Sequence, residues 1–430
     1  MLHQPSPRPG STRGNVARAA LPNGLEILLL VDVRSALSCL WLLLLAAACE
    51  ASHAGVRDAA ARLGDTLEWQ STRASLDADG LSQRVSFAFT HGTRAFALRA
   101  HVSGATGILP CFALEDVVVN GDRSWVGSAT VADYGDYCTQ CAQRVSVGTG
   151  YGLYMLPSAA DGGIELTSVS ARVALRQCST LTPQPRAALG SPGELIVELE
   201  AWQPPPEDEP LRLPIAVVVA TRYGLASDAS LLPEALARLQ DIWAAAHIEL
   251  DFAARVEVTP PTAVLEYSAT DHTALDALAQ AAGAALSGRA HDPRWPVMIL
   301  GPCLRRIDVI SGGQSQPWAY TPHLPGGSSA AAAPDAIFIA TERCEGLSPL
   351  PSFDASAQLG AVMAHELGHY LGLYHVLEAD GRPDDLSDTI ASEHNLMQAT
   401  PSASAIALSY SQIDIARRHN AFAVSPHSQP

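Results

Sequence analysis

Hydrophobic and polar residues alternate with a period of two between residues 55 and 201. Short runs of this pattern are separated by clusters of Gly, Asp and Asn, as in strands that bury one face and are joined by turns. The pattern therefore predicts an all-β, sandwich-like domain. Its clearest strands are expected at 84–90, 95–100, 117–119, 166–173 and 194–199.

The pattern changes after residue 210, where short apolar runs alternate with stretches of helical period. This order is typical of a twisted sheet backed by helices, and it predicts the α+β class for the chain as a whole. Strands are expected at 213–220, 248–258, 297–301 and 335–340, and helices at 231–247, 275–286 and 355–371.

A proline-rich and acidic stretch at 202–210 separates the two patterns. Its prolines stiffen the chain and its charges favour solvent, so we expect a linker between domains. The predicted organisation is an upstream segment at 1–48, a β-rich accessory or pro-domain at 49–201, the linker, and a second domain at 211–425.

The upstream segment ends in the features of a secretory signal peptide. Arg34 precedes an apolar run at 40–45 and small residues up to Cys49, and the run is too short for a transmembrane helix. A buried core helix is the alternative. We expect translation to start near Val33 and the protein to be exported. Ala-Ala-Cys49 resembles a bacterial lipobox, which predicts a lipid-anchored envelope protein, with cleavage after Ala48 and secretion as the alternative.

Composition excludes one class of partner. The 430-residue chain is 47% hydrophobic, enough for two domains with cores. Its formal net charge is −17, and all 27 of its basic residues are arginine. No basic stripe is present to release phosphate counterions, so we expect no binding to nucleic acid.

Eight cysteines are present, and their even number in each predicted domain of an exported chain indicates disulfides. Cys303–Cys344 follows from parity in the second domain. Four cysteines of the first domain allow three pairings. We favour Cys111–Cys178 with Cys138–Cys141, the alternative for the latter two being a redox pair or half of a zinc site.

The stretch that carries chemistry is HELGHYLGLYH at 365–375. On a helix, His365 and His369 project from one face, and Glu366 is placed to reach a zinc-bound water. Gly372 can adopt a positive φ, end the helix and turn His375 back towards the metal. Three neutral nitrogens with an open fourth position are typical of catalytic zinc. The alternative is a helix with solvated or core histidines.

This spacing resembles the signature of the metzincin clan of zinc endopeptidases, H-E-x-x-H-x-x-G-x-x-H followed by a methionine turn. Met397 is the only methionine after the motif, which makes it the candidate for that turn. The pair Asp388-Thr389 and the Asn-Leu-Met turn are most similar to the pappalysin and cytophagalysin branch. Ile390 stands where that branch usually has proline, and Ala399 stands where several metzincins have tyrosine.

The resemblance implies a zinc endopeptidase that acts on a protein or peptide substrate. The three histidines of the motif would hold Zn²⁺, and Glu366 would act as general base and then general acid. Met397 would form an apolar floor without ligating the metal. The implied catalytic domain has a twisted mixed sheet, a zinc helix and the methionine turn. An extended substrate would pair with the strand at 335–340, taken as the cleft edge.

Several polar residues after the motif are further candidates. Since Ala399 stands where several metzincins have tyrosine, Tyr410 is a candidate second donor to the oxyanion. His394 could serve as a fourth ligand, although that would close the open position. Four acidic residues follow the motif: Asp380, Asp384, Asp385 and Asp388. They predict either a Ca²⁺ site or a solvated turn-rich loop. Asp388 could instead brace the loop.

A second function class remains open from the sequence. The chain could be a cell-surface lipoprotein binding module that carries an inactive or vestigial metallopeptidase fold. Retention of all three histidines and of Glu366 argues against this alternative, because decay normally removes a ligand or the base.

Overall fold

A computed structural model of the protein describes most of the chain between residues 67 and 422. The described ranges are 67–103, 111–121, 123–126, 144–148, 151–156, 166–177, 183–189, 194–206, 209–220, 231–268, 271–289, 292, 294–308, 311–327, 335–344, 356–377, 383–384, 386, 388–390 and 392–422. The predicted signal peptide, the start near Val33 and the lipidation of Cys49 lie outside them. No helix in these ranges is long and apolar enough to cross a membrane.

Antiparallel strands build the N-terminal part. They are β1 (Leu67–Ala74), β2 (Val85–Thr93), β3 (Ala95–Ser103), β4 (Cys111–Val119), β5 (Arg123–Val126), β6 (Arg144–Gly148), β7 (Tyr151–Leu156), β8 (Leu166–Arg176) and β9 (Glu194–Trp202). One sheet has the order β1-β9-β3-β7-β6 and the other β2-β8-β4-β5. A single apolar cluster takes Phe96 and Leu199 from the first sheet and Phe112 and Val173 from the second.

Every strand expected in the N-terminal part is present. The structure adds β1, β5, β6 and β7. β5, β6 and β7 have only four to six residues, too few for a period to be distinctive, and β1 is largely polar. Trp69 on β1 is 54% exposed, so even an apolar residue of this strand does not mark a buried face. The sandwich-like assignment of this part stays a prediction.

The C-terminal part is built on a five-stranded sheet of order β11-β10-β13-β17-β16. Its strands are β10 (Leu211–Val219), β11 (Ile248–Glu257), β13 (Val297–Gly301), β16 (Ala319–Tyr320) and β17 (Ala336–Ala340). The first four in the order are parallel, and β16 is antiparallel to β17. A separate three-stranded sheet contains β12 (Val264–Tyr267), β14 (Cys303–Ile307) and β15 (Gln314–Ser315).

The prediction that strand 335–340 forms the edge of the sheet is wrong. β17 pairs with β13 on one side and with β16 on the other. On this side of the sheet the outermost described strand is the two-residue β16. A strand of two residues shows no hydrophobic period, so only its pairing in the folded chain reveals it.

Four helices complete the described fold and confirm the α+β class. They are α1 (Leu231–Ala244), α2 (Thr273–Leu286), α3 (Ser356–Tyr370) and α4 (Tyr410–Arg417). Successive residues of β10 point to opposite faces of the sheet. Leu213 and Val217 join the apolar cluster of α1 and α3, whereas Ala216 and Val218 join the cluster of α2. The sheet therefore separates α3 from α2.

Helices α1 and α3 approach closely at Gly360. A Cβ atom at this glycine would lie 2.6 Å from Cβ of Arg238 and 2.7 Å from the carbonyl oxygen of Ala235. Both partners are close to the backbone of α1, so neither can rotate away. Glycine is thus required for the observed distance between the two helices.

Replacing Gly360 with alanine is expected to lower the free energy of unfolding by about 1–3 kcal/mol, the usual cost of overpacking a core. The steric cost outweighs the better helix propensity of alanine, about 1 kcal/mol. Denaturant midpoints measure the effect. Gly301→Ala is the matched control, since its Cβ would meet only ordinary contacts, 3.5 Å from Leu265. Equal midpoints for the two variants would contradict the prediction.

The end of β9 and the stretch 202–210 contact the residues that follow α4. Trp202 is buried, and its Nε1 donates to the carbonyl oxygen of Arg418 at 3.0 Å. Nδ2 of Asn420 donates to Oε2 of Glu200 at 3.0 Å. Burial raises the pKa of Glu200 to about 6, partly offset by the charge of Arg294. The domain boundary at 202–210 stays a prediction, but the described part of the stretch is held against the C-terminal part.

The disulfide Cys303–Cys344 predicted from parity is confirmed, with a Cα–Cα distance of 4.9 Å. It ties the start of β14 to the segment after β17. Cys111 is also disulfide-bonded. Its partner lies outside the described residues, as do Cys138, Cys141 and Cys178, so the pairings of the N-terminal part stay predictions.

Candidate metal centre

Helix α3 places His365 and His369 one turn apart, with ring centroids separated by 4.6 Å. Both side chains are buried. The helix ends after Tyr370, where Gly372 has a φ of +93°. The amide of Gly372 donates to the carbonyl of His369, and that of Leu373 donates to the carbonyl of Gly368. This is a Schellman motif, the usual way that a left-handed glycine ends a helix.

The turn at Gly372 returns the chain so that His375 faces the two helical histidines. Its Nε2 lies 3.3 Å from Nε2 of His365 and 3.1 Å from Nε2 of His369. These three residues form the only group of potential metal ligands of this kind among the described residues. The structure thus brings together the histidines that the motif singles out.

Backbone carbonyls set the orientation of two of the rings. Nδ1 of His365 lies 2.7 Å from the carbonyl oxygen of Leu396, and Nδ1 of His369 lies 2.8 Å from that of Leu373. A carbonyl oxygen only accepts, so each Nδ1 carries the proton and each Nε2 presents a lone pair. Carbonyl partners of this kind are typical of histidines that ligate metals.

Burial keeps these two rings neutral. It lowers the pKa of His365 to about 3, with a further decrease from the neighbouring His375. It also lowers the pKa of His369 well below its usual value, and the other two histidines add to that effect. Near neutral pH both rings are therefore in the form that binds a metal.

The three nitrogens fit a zinc ion. The Nε2 atoms of His365 and His369 present lone pairs on the side of His375, because the Nδ1 atom of each ring donates to a carbonyl oxygen. The three ligand atoms lie within 4.8 Å of one another, so a single cation can contact all of them. Imidazole nitrogen is a preferred donor for zinc, and three such donors leave one position open.

Glu366 lies next to His365 on the helix and is buried. Its Oε2 lies 2.6 Å from Oγ1 of Thr321. Burial raises the pKa of Glu366 to about 7, while the hydrogen bond from Thr321 and the charge of His375 act to lower it. A carboxyl group with a pKa near 7 can both accept and release a proton at neutral pH.

The turn around Met397 packs against the part of α3 that carries His365 and His369. The carbonyl of Leu396 is the partner of His365, and the amide of Met397 donates to Oδ1 of Asn395 at 2.8 Å. Met397 is fully buried. A Cβ atom at Gly368 would lie 2.5 Å from the sulfur of Met397, so the methionine packs directly on the helix between the two histidines.

Asp388 and His394 do not belong to the group formed by the three histidines, and the role of Tyr410 stays a prediction. Asp388 accepts hydrogen bonds from the hydroxyl of Ser409 at 3.1 Å and from the amide of Ser411 at 2.9 Å, at the start of α4. Tyr410 is 66% exposed. His394 is an exposed side chain 3.8 Å from Glu393 and is not part of the histidine group.

A calcium site stays a prediction. Asp380 and Asp385 lie outside the described residues, so only Asp384 and Asp388 of the acidic cluster can be placed. Neither belongs to a group of potential metal ligands within the described part of the chain.

Two contacts of this site were not expected from the sequence. Thr321, 45 residues before Glu366, belongs to no motif, and nothing in its neighbourhood marks it. Asn395 bonds to Gln412 of α4 at 3.0 Å as well as to Met397. An asparagine two positions before the turn methionine was a visible signal for the second contact, but its partner is set by the fold.

Comparisons with known proteins give weak likenesses. No family model matches the chain, and no curated protein matches it. It is similar to the solved structure of metalloproteinase-II from Bacteroides fragilis, at 12% identity over 53% of this chain and 63% of that chain, with a TM-score of 0.31. It is also similar to a zinc-dependent peptidase from Methanocorpusculum labreanum, at 12% identity over 48% of this chain and 93% of that chain, with a TM-score of 0.26. Evidence for a function therefore comes from the side chains of the three histidines and Glu366.

Proposed function

We propose that the protein is a zinc-dependent endopeptidase of the metzincin type, nearest the pappalysin and cytophagalysin branch. One observation carries the proposal: the Nε2 atoms of His365, His369 and His375 converge beside the buried carboxyl group of Glu366. Each component alone occurs in structural sites, but three converging imidazole nitrogens beside a carboxyl group of pKa about 7 are suited to hydrolysis.

The three histidines would hold zinc, which when bound supplies a Lewis acid that activates water and polarises a carbonyl group. Glu366 would take the proton of the attacking water and deliver it to the leaving amine. The carbonyls of Leu396 and Leu373 keep the imidazoles of His365 and His369 in the tautomer that the site needs.

An extended peptide is the substrate that the resemblance implies. Beyond β17 the described sheet ends in β16, and the residue after that strand, Thr321, touches Glu366. A peptide that added a strand beside β16 would therefore run close to the carboxyl group that moves the proton. The side-chain preference around the cleaved bond is left to experiment.

Metal content and hydrolysis test the proposal together. The full chain is expected to bind about one zinc ion and to cleave members of a peptide library, with activity lost on chelation and restored by zinc. His369→Ala should lose both zinc and activity. His394→Ala is the matched control, because this histidine is exposed and outside the ligand group, and it should retain both.

Stoichiometric zinc without cleavage of any peptide would reject the peptidase proposal and favour the binding module with an inactive fold. Activity that survives chelation and the His369→Ala change would reject the zinc site as the catalytic centre.

A further inference from the structure

We infer that Thr321 is a positioning residue that holds the carboxyl group of Glu366 for proton transfer, an inference that rests on the proposed hydrolysis. Its Oγ1 lies 2.6 Å from Oε2 and 3.1 Å from the carbonyl oxygen of Glu366, so both of these bonds go to the same residue. Both side chains are buried. Water therefore competes little for these bonds, which gives them full effect on the orientation of the carboxyl group.

The local sequence restricts the hydroxyl group to this position. Tyr320 ends β16 and packs on the α2 side of the sheet. Thr321, the next residue, reaches α3 on the opposite side, as expected from the alternation along a strand. Thr321 also precedes Pro322, which disfavours helical backbone at Thr321. Its branched Cβ limits the side-chain rotamers further.

A second contact fixes the segment that carries Thr321. The amide of Gly326 donates to the carbonyl of Tyr370 at 2.9 Å, and a Cβ at Gly326 would collide with the ring of Tyr370. The carbonyl of Gly326 is in turn 3.1 Å from Nε2 of His419. The segment is therefore attached to α3 at Glu366 and again one turn later, at Tyr370.

This geometry serves both proton states of Glu366. When the group is a carboxylate, the Thr321 hydroxyl donates to Oε2. When the carboxyl carries the proton taken from water, its O–H can donate to Oγ1 of Thr321, and the hydroxyl proton turns to the carbonyl oxygen of Glu366. No proton leaves Thr321, and the heavy atoms keep their places. The carboxyl group thus stays aligned between accepting and delivering its proton.

Paired substitutions test the inference in the full-length, zinc-loaded protein. Thr321→Val removes the hydroxyl at almost constant volume and is expected to lower kcat about 10–100-fold, the effect of one lost charge-assisted hydrogen bond, with KM and zinc content unchanged. Thr321→Ser restores the hydroxyl and should recover kcat to within about threefold of wild type, the remainder reflecting its freer rotamer. If the valine variant does not fold, Thr321→Ala carries the same expectation.

Thr341→Val is the matched control. Thr341 is equally buried and donates to the carbonyl of Gly301 at 2.8 Å in the same part of the fold, away from Glu366. Its replacement should lower the unfolding midpoint but leave kcat unchanged. An equal loss of kcat in both valine variants, or no recovery with serine, would show a general packing effect and overturn the inference.

The two proposals fail in different ways. If wild type cleaves no peptide, the peptidase function is rejected and the role of Thr321 falls with it. If wild type cleaves and Thr321→Val retains its kcat, only the inference about Thr321 is rejected.

Discussion

Replacing Glu366 with glutamine is expected to lower kcat for peptide hydrolysis by about 10²–10⁴-fold, the usual contribution of a general acid–base group. Glutamine has the same shape and keeps an oxygen that can accept from Thr321, so the local packing should persist. What it cannot do is take up a proton. The three histidines are unchanged, and the variant should therefore retain its zinc.

Steady-state kinetics on a cleaved library peptide, together with metal analysis, measure this effect. Glu393→Gln is the matched control, because its side chain is 87% exposed in the segment before Met397. It should behave as wild type. Undiminished kcat in Glu366→Gln would assign the proton transfer to another group. Loss of zinc would instead indicate that Glu366 contributes to holding the metal.

Replacing Arg417 with alanine is expected to lower the free energy of unfolding by about 3–5 kcal/mol, because several backbone carbonyl oxygens lose their charged donor together and each costs about 1–3 kcal/mol when left unpaired. Its Nη1 lies 3.1 Å from the carbonyl oxygen of Ala246, and its Nη2 lies 3.0 Å from that of Pro206 and 2.6 Å from that of Glu209. One buried guanidinium thus joins the end of α4, the end of α1 and the stretch between the two predicted domains.

Arg418→Ala is the control for that prediction. Arg418 is adjacent in sequence, but its side chain is 20% exposed and pairs with Asp414 one turn earlier on the helix. A partly exposed pair of this kind contributes about 1 kcal/mol or less. Urea midpoints of the two variants should therefore differ clearly. Equal midpoints would mean that the carbonyl contacts of Arg417 add nothing beyond a surface charge.

Local periodicity accounts for the part of the fold that was predictable. Period-two runs identified strands such as β8 and β9, and the alternation of apolar runs with helical stretches identified α1, α2 and α3. These patterns follow from the geometry of each element and need no knowledge of its partners. The two-residue β16 was not predicted, because only its pairing with β17 identifies it as a strand. The edge of the sheet was misplaced for that reason.

Helix α3 shows the same limit at one element. Its period predicts an apolar arc at Leu359, Met363, Leu367 and Tyr370, with the histidine face turned to a cleft. In the structure every residue from Leu359 to Tyr370 is buried. The turn around Met397 packs on the helix beside Gly368, and the carbonyl oxygen of Leu396 accepts from His365. Periodicity reports the face that an element can bury, not what the rest of the chain later places on the other face.

The stretch 365–375 by itself determined which side chains could meet at the metal. A helical turn aligns His365 with His369, and a left-handed glycine at 372 returns His375, so the three imidazoles converge through contacts within 11 residues. Only the tertiary structure decided how those groups are tuned. The carbonyl of Leu396 and the hydroxyl of Thr321 come from segments 31 and 45 residues away. Which distant polar atom arrives depends on how the sheet, α3 and the turn pack together, and no local pattern encodes that packing.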